Sequence, residues 1–266
     1  MNNTKYLTDL TEAEIEPIKS CLHIQRASKW PLSIILNAIF YVCREGIKWR
    51  ALPKDMKIPW QTVYWYFAKW TKTGAWQAVN ETLVMIRRQR ASQKALPSIM
   101  VIDAQTAKNT ATSTSYIGVD GGKKIKGRKR MKLVDSAGNL FAVKVFEANR
   151  HEGAVALKWW RSELLFNPVF EHVTLIRADQ QYGGKFTKGL KKLADITVQT
   201  THEPIRKARN SQMLLHKGRW VVERTNAWDD NSRRLSKDYE RLPWHEEAFC
   251  LISSITRMLY NKTTLN

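Results

Sequence analysis

Residues 98–103 read SIMVID and residues 172–179 read HVTLIRAD, two short apolar stretches that each end in an acid. Stretches of this length and composition predict β-strands. In open α/β sheets the reactive crevice lies beyond the carboxyl ends of the strands. The pattern therefore predicts that Asp103 and Asp179 lie close together at one end of a sheet. The competing interpretation is that either aspartate is an ordinary turn former or helix N-cap.

The residues around these two stretches predict further strands and helices. Residues 131–148 (MKLVDSAGNLFAVKVFEA) predict two strands around a turn at 136–139, and residues 151–165 (HEGAVALKWWRSELL) predict an amphipathic helix. A helix and a short strand, GGKFTKGLKKLA and ITVQT, follow Asp179. This order predicts a mixed sheet with helices on its faces, and residues 104–130 are the longest candidate loop.

The first part of the chain predicts helices instead. Thr11 and Glu14 form a capping-box pattern, Pro31 is placed to begin a second helix, and Gly46 is placed to end it. We therefore expect an α+β protein with an all-helical domain over residues 1–93 and a sheet domain over residues 94–266.

One N-terminal helix has the composition of a DNA-reading element. Residues 58–76 (IPWQTVYWYFAKWTKTGAW) predict a basic, aromatic helix that carries Lys69 and Lys72. Helices joined by short turns, the second of them basic, suggest a helix-turn-helix-like DNA reader. The alternative is that these aromatic side chains belong to the core.

The charge of the chain points to a polyanionic partner. Its 266 residues include 44 Lys and Arg against 24 Asp and Glu, a net charge of +20. A basic surface gains free energy by releasing counterions from nucleic acid, and double-stranded DNA is the expected partner. The competing classes are a basic soluble protein with no nucleic-acid partner and a protein that binds membrane surfaces. Three scattered cysteines give no disulfide framework, and no apolar run predicts a signal or a membrane span, so we expect a cytoplasmic protein.

Glu223 is a lone acid among bulky apolar residues in GRWVVERTNAW, residues 218–228. A desolvated carboxylate needs compensation, either from a salt bridge to Arg219 or from a metal ion shared with other carboxylates. Asp103, Asp179 and Glu223 would repel one another at one site, and divalent cations remove that repulsion. Both interpretations stay open at this point.

A dense basic run precedes the predicted hairpin. Residues 123–132 (KKIKGRKRMK) are expected to hold DNA phosphates beside the acids, although such runs are usually solvated faces. The candidate contacts are Lys123, Lys124, Lys126, Arg128, Lys129 and Arg130, followed after Glu223 by Arg233, Arg234 and Lys237. Asp120 and Asp135 are interpreted as turn formers rather than as catalytic acids.

Six stretches together resemble bacterial insertion-sequence transposases of the DDE type, in the branch named for insertion sequence five. They run in the family's order and are ILNAIFYVCREGIKWRALPKD, PWQTVYWYFAKW, VIDAQTAK, DGGKKIKGRKR, RADQQYGG and RWVVERTNAW…RRLSKDYERL. The resemblance implies an RNase H-like core with flanking helices, and it matches Asp103, Asp179 and Glu223 to the three catalytic, metal-binding acids.

The same resemblance implies the cofactor, the substrate and the partners. It implies two Mg²⁺ ions, for which Mn²⁺ can substitute, and Arg219 beside the third acid as a tether or phosphate contact. It implies binding of terminal inverted repeats, hydrolysis at the element's end, attack of the 3′-hydroxyl on target DNA, and a homodimer or higher oligomer on DNA.

Five positions depart from the family pattern. His216 stands in a tyrosine position, Asp230 stands in a lysine position, and Gln180 and Gln181 replace two glycines. Asp229 stands where an apolar residue is common in the family. Three hypotheses follow: an active transposase, a DNA-binding protein on the same fold without the chemistry, and a structure-specific nuclease without strand transfer.

Overall fold

The computed structural model describes residues 9–22, 24, 28–200 and 220–260. Four helices come first: α1 (Glu12–Lys19), α2 (Leu32–Glu45), α3 (Trp60–Lys72) and α4 (Ala75–Arg90). The capping box of Thr11 and Glu14 is confirmed, and Gly46 ends α2 with a φ of 68°, a conformation that glycine adopts without strain. The helical N-terminal region is thus confirmed, whereas its DNA-reading role stays a prediction.

The rest of the chain forms a six-stranded mixed sheet. Its strands are β1 (Ile99–Lys108), β2 (Gly118–Asp120), β3 (Ile125–Asp135), β4 (Leu140–Glu147), β5 (Leu175–Ala178) and β6 (Thr197–Thr200). β3 pairs antiparallel with β1, β2 and β4, while β5 pairs parallel with β1 and β6. The helices of this part are α5 (Glu152–Ser162), α6 (Lys185–Ala194), α7 (residues 220–229) and α8 (Pro243–Tyr260).

The structure corrects two expectations about strand boundaries. β1 continues five residues past Asp103 to Lys108, so Asp103 lies inside the strand and not at its end. The segment 104–130 is not one long loop, because it contains the rest of β1, all of β2 and the first half of β3. Polar residues are tolerated in these strands because other segments supply partners for them. The predicted hairpin turn after Asp135 is confirmed.

The helical region and the sheet share one hydrophobic core. Rings of Phe67 on α3 and Phe249 on α8 stack with centroids 4.8 Å apart. The Asn80 side-chain amide on α4 donates to the Leu140 carbonyl of β4 at 2.7 Å. Cys43 and Cys250 are buried free thiols. The boundary at residue 93 stays a prediction, and the helices before it are packed directly on α8 and β4.

Strand β3 carries a row of cations into the interior. Arg128, Arg130 and Lys132 alternate along the strand, are at most 3% exposed, and face the segment that contains α7 and the start of α8. Arg128 pairs with Asp238 at 2.8 Å, Arg130 with Glu246, and Lys132 with Asp229 at 2.5 Å. Each pair joins the strand to a residue more than 90 positions later, so this network fixes the C-terminal segment to the sheet.

This network corrects the prediction that the whole basic run is a phosphate-binding loop. Arg128 also donates to the carbonyls of Glu240 and Arg241, and Arg130 donates to the carbonyl of Leu235. Their donors are directed to protein groups and away from solvent.

Among the residues that the structure describes, the helices are too short or too polar for any of them to cross a membrane.

We predict that Asp238→Ala destabilises the fold by about 3–5 kcal/mol, because it leaves the buried Arg128 guanidinium without its carboxylate. Denaturant unfolding followed by circular dichroism measures the change. The control is Glu16→Ala, which removes an exposed ion pair with Lys19 and should cost at most about 1 kcal/mol. Equal losses in the two variants would contradict a structural role for the buried pair.

Candidate active site

The parallel pairing of β1 with β5 brings Asp103 and Asp179 together. Val101 lies opposite Arg177 in this pairing. Asp103 and Asp179 are each two residues further along the chain, so they lie opposite each other. The Asp179 carboxylate also accepts a hydrogen bond from the Gln181 amide at 2.8 Å and caps the short 3-10 turn Gln180–Tyr182. Asp179 is therefore an N-cap as well as a candidate ligand, and the cap fixes its orientation.

Glu152 is the third acid of the cluster that the described residues form. It is the first residue of α5 and is 5% exposed. One ligand oxygen from each of Asp103, Glu152 and Asp179 lies within 4.8 Å of the others. Glu152 is not among the acids that the sequence predicts for the site, because an acid in the first turn of a helix is favoured by the helix dipole and carries no signal of its own.

A buried lysine partly neutralises this cluster. Lys129 on β3 donates to Glu152 at 2.8 Å, and its ammonium lies 3.7 Å from Asp120. Lys129 is 7% exposed, so it too is unavailable to a phosphate on the surface. Its side chain points to the opposite face of β3 from those of Arg128 and Arg130, as expected for neighbours on a strand.

The Tyr182 hydroxyl faces the same carboxylates. The side chain is fully buried, and burial, with the negative charges of Glu152, Asp103 and Asp179 adding to it, raises the pKa of Tyr182 well above its usual value. The hydroxyl therefore stays protonated. It makes no hydrogen bond of normal geometry among the described residues, although Glu152 lies close to it. A buried donor of this kind is suited to a ligand at the cluster.

Gly153 sets the distance between Glu152 and the Asp179 turn. A Cβ at this position would lie 2.8 Å from the carbonyl oxygen of Gln181, which is backbone and cannot rotate away. The first turn of α5 therefore packs against the turn 180–182 without any side chain between them. This contact holds Glu152 beside Asp179.

The cluster fits a divalent cation. Three carboxylates supply the hard oxygen ligands that Mg²⁺ and Mn²⁺ prefer, and a cation removes the repulsion that their proximity creates. The protonated Tyr182 hydroxyl offers a donor to a ligand oxygen or water at the same place. Asp120 and Asp135 are turn formers, as predicted: their carboxylates accept from the amides of Lys123 and Asn139.

Glu223 lies on α7 and is exposed. One turn later, Asn226 accepts a hydrogen bond from Lys132 at 2.7 Å, and Lys132 is directly opposite Asp103 in the β1–β3 pairing. Helix α7 thus covers the sheet face that carries Asp103. Among the described residues Glu223 is not a member of the 4.8 Å cluster, and its catalytic role stays a prediction. Arg219 and His216 lie outside the described residues.

Four of the positions that depart from the family pattern, Gln180, Gln181, Asp229 and Asp230, are among the described residues. Asp229 is buried and pairs with Lys132, which gives it a structural role, whereas Asp230 is exposed directly after α7. Gln180 and Gln181 are exposed in the turn after Asp179. The Gln181 backbone contributes both the amide that binds Asp179 and the carbonyl that contacts Gly153.

The basic residues predicted to contact DNA fall into two groups. Arg234 is buried, pairs with Glu240 and donates to the Ile47 carbonyl, so its prediction is corrected together with those for Arg128, Lys129 and Arg130. Lys69 is half-buried, with its ammonium 5.1 Å from the centre of the Trp65 ring. The exposed members, whose DNA contacts stay predictions, are Lys72, Lys123, Lys124, Lys126, Arg233 and Lys237.

The fold and the site together define a class. A sheet in the order β4-β3-β1-β5-β6, with one acid inside the central strand and a second directly after the neighbouring parallel strand, is an RNase H-like core with a candidate metal centre. Two family models then match: one described as a putative transposase of the IS4/5 family over residues 10–80, and the transposase DDE domain over residues 94–259. The chain belongs to the DDE-domain transposases. A comparison with curated proteins gives no match.

We predict that Gly153→Ala impairs metal binding at the cluster, because the new methyl group pushes α5 away from the Gln181 carbonyl. The matched control is Gly189→Ala on α6, whose Cβ would meet the Leu157 side chain at 2.7 Å, a neighbour that can change rotamer. Titration with Mn²⁺ measures the affinity, and we expect a loss of about tenfold or more in Gly153→Ala alone. Unchanged affinity in a folded Gly153→Ala protein would contradict the positioning role of this contact.

Proposed function

We propose that this transposase binds the terminal repeats of its element, nicks DNA at the element's ends, and joins the 3′-hydroxyl to target DNA. The single observation that carries the proposal is the convergence of Asp103, Glu152 and Asp179 within 4.8 Å in a chain of net charge +20. Acids are otherwise unfavourable at the DNA-binding surface of such a protein, because they repel phosphates.

The chain's own residues have distinct tasks in this proposal. Asp103 on β1 and Asp179 directly after β5 would hold divalent cations, and Glu152 would add a buried oxygen that Lys129 orients. Two such cations, when bound, would supply an activated attacking oxygen and a stabilised leaving oxygen at a phosphodiester. Tyr182 donates a hydrogen bond within the site. No nucleophilic side chain is needed, since water and then the 3′-hydroxyl attack phosphorus directly.

The exposed basic residues supply the attraction for DNA. Lys123, Lys124 and Lys126 lie in the turn before β3 and at its start, on the chain that leads to Lys129. Arg233 and Lys237 are exposed after α7. Contacts of these residues with phosphates would position the duplex without reading its sequence. We propose that the N-terminal helices, with Lys69 and Lys72, bind the terminal repeats, and that two or more subunits act on paired ends.

Two acids are candidates for the third catalytic position. Family resemblance assigns it to Glu223 on α7, whereas proximity in the structure favours Glu152 on α5. We propose that both act: Glu152 as a constant ligand in the buried cluster, and Glu223 as a ligand that completes the centre from the exposed side of α7. This arrangement makes separate predictions for the two residues.

We predict that Asp103→Asn and Asp179→Asn abolish metal-dependent nicking of a labelled duplex that carries the element's end, with duplex binding retained. Glu152→Gln should also lower Mn²⁺ affinity of the DNA-free protein, by about tenfold or more, because it removes a buried charged ligand. Glu223→Gln should abolish nicking with a smaller effect on Mn²⁺ affinity without DNA. The control is Glu171→Gln, an exposed acid in the loop before β5.

The outcomes separate the competing functions. If Glu223→Gln nicks DNA at the wild-type rate, the third catalytic position belongs to Glu152 alone. Tight duplex binding by the wild-type protein with no nicking in Mg²⁺ or Mn²⁺ would contradict the proposed catalysis and favour the DNA-binding protein without chemistry. Nicking without subsequent joining of the 3′-hydroxyl would favour the structure-specific nuclease.

A further inference from the structure

A cleft of about 760 Å³ lies between α5 and α6. Cavities of this volume hold small molecules or roughly one or two nucleotides, and they are too small for a duplex. Helix α5 contributes Lys158 and Arg161 to its wall, and the first turn of α6 contributes Lys185. The side chains of Leu157 and Phe186 give the cleft an apolar part.

The cleft lies beside the candidate metal centre. His151 and Gly153, which flank Glu152 in the chain, both line it. Gly183, which ends the turn that begins at Asp179, lines it as well. The cleft wall therefore comes within a few residues of two acids of the cluster, where a polymer reacting at the cluster would leave the site.

The charges in the cleft differ from those along β3. Arg128, Lys129, Arg130 and Lys132 each pair with a buried carboxylate. Lys158, Arg161 and Lys185 are exposed, and no carboxylate among the described residues pairs with them. Cations that surround an apolar surface, directly beside an acidic metal centre, are complementary to a ligand with several phosphates and an apolar part.

We propose that this cleft binds a single strand of DNA that extends from the phosphodiester at the metal centre. The phosphates contact Lys158, Arg161 and Lys185, and an unstacked nucleotide places its sugar or base against Leu157. The identity of the strand rests on the proposed function, since it assumes that DNA reacts at the cluster. The affinity of the cleft for single-stranded DNA does not rest on it.

The test compares two double variants that each remove two exposed positive charges. Lys158→Ala with Arg161→Ala alters the cleft, and Lys191→Ala with Lys192→Ala alters the last turn of α6 outside it. Binding of a labelled single-stranded oligonucleotide to the full chain is measured in chelator at several salt concentrations, so that no cleavage occurs. The cleft variant should lower the slope of log affinity against log salt by about 1.4, which is about 0.7 for each lost phosphate contact on a single strand.

A third variant tests the cleft by blocking it. Ala154 is exposed on α5 and lines the cleft, so Ala154→Glu adds both bulk and negative charge there. A glutamate in the first turn of a helix is well tolerated, and the protein should stay folded. We expect Ala154→Glu to weaken single-strand binding while the control variant stays near wild type.

Equal salt slopes in the cleft and control variants, with Ala154→Glu binding like wild type, would overturn the inference. This result is distinguishable from failure of the proposed function. If the wild-type protein nicks no DNA but the cleft variants lose single-strand binding, the cleft assignment holds and the proposed catalysis fails. If nicking is metal-dependent and the cleft variants bind and nick normally, the proposed function holds and the cleft assignment fails.

Discussion

The parallel pairing of β1 with β5 is the constraint on which the candidate site depends. It brings two carboxylates level with each other, and the approach of α5 at Gly153 adds a third. Three anions so close together oppose folding unless cations offset them. Lys129 offsets part of this repulsion from within the protein. A bound divalent cation would remove the remainder, which explains how one arrangement serves both stability and chemistry.

The basic character of the chain has two separate uses. Along β3 the cations are structural: they pair with carboxylates from the C-terminal segment and fix α7 and α8 onto the sheet. Elsewhere they are exposed and available to phosphates, at the turn before β3 and in the cleft between α5 and α6. A count of lysines and arginines in one sequence run does not distinguish these uses, because only tertiary packing determines which side chains reach water.

Features that depend on interactions within a few residues are predictable from the sequence. The capping box at Thr11, the end of α2 at Gly46 and the turn after Asp135 follow from interactions within a few residues, and all three were predicted. The extension of β1 beyond Asp103 is not predictable in this way, because its polar residues gain partners from distant segments. Glu152 was missed for the same reason, since only the packing of α5 against the Asp179 turn identifies it as part of the site.

The central claim is that Asp103, Asp179 and Glu152 hold the same metal centre. The most direct measurement is a crystal structure of the protein grown with Mn²⁺, with the metal located by its anomalous scattering. We predict an anomalous peak between these three carboxylates, with oxygen ligands at about 2.0–2.3 Å. A peak that Asp103 and Asp179 share with Glu223 while Glu152 remains bound only to Lys129, or a peak at another place in the chain, would contradict the claim.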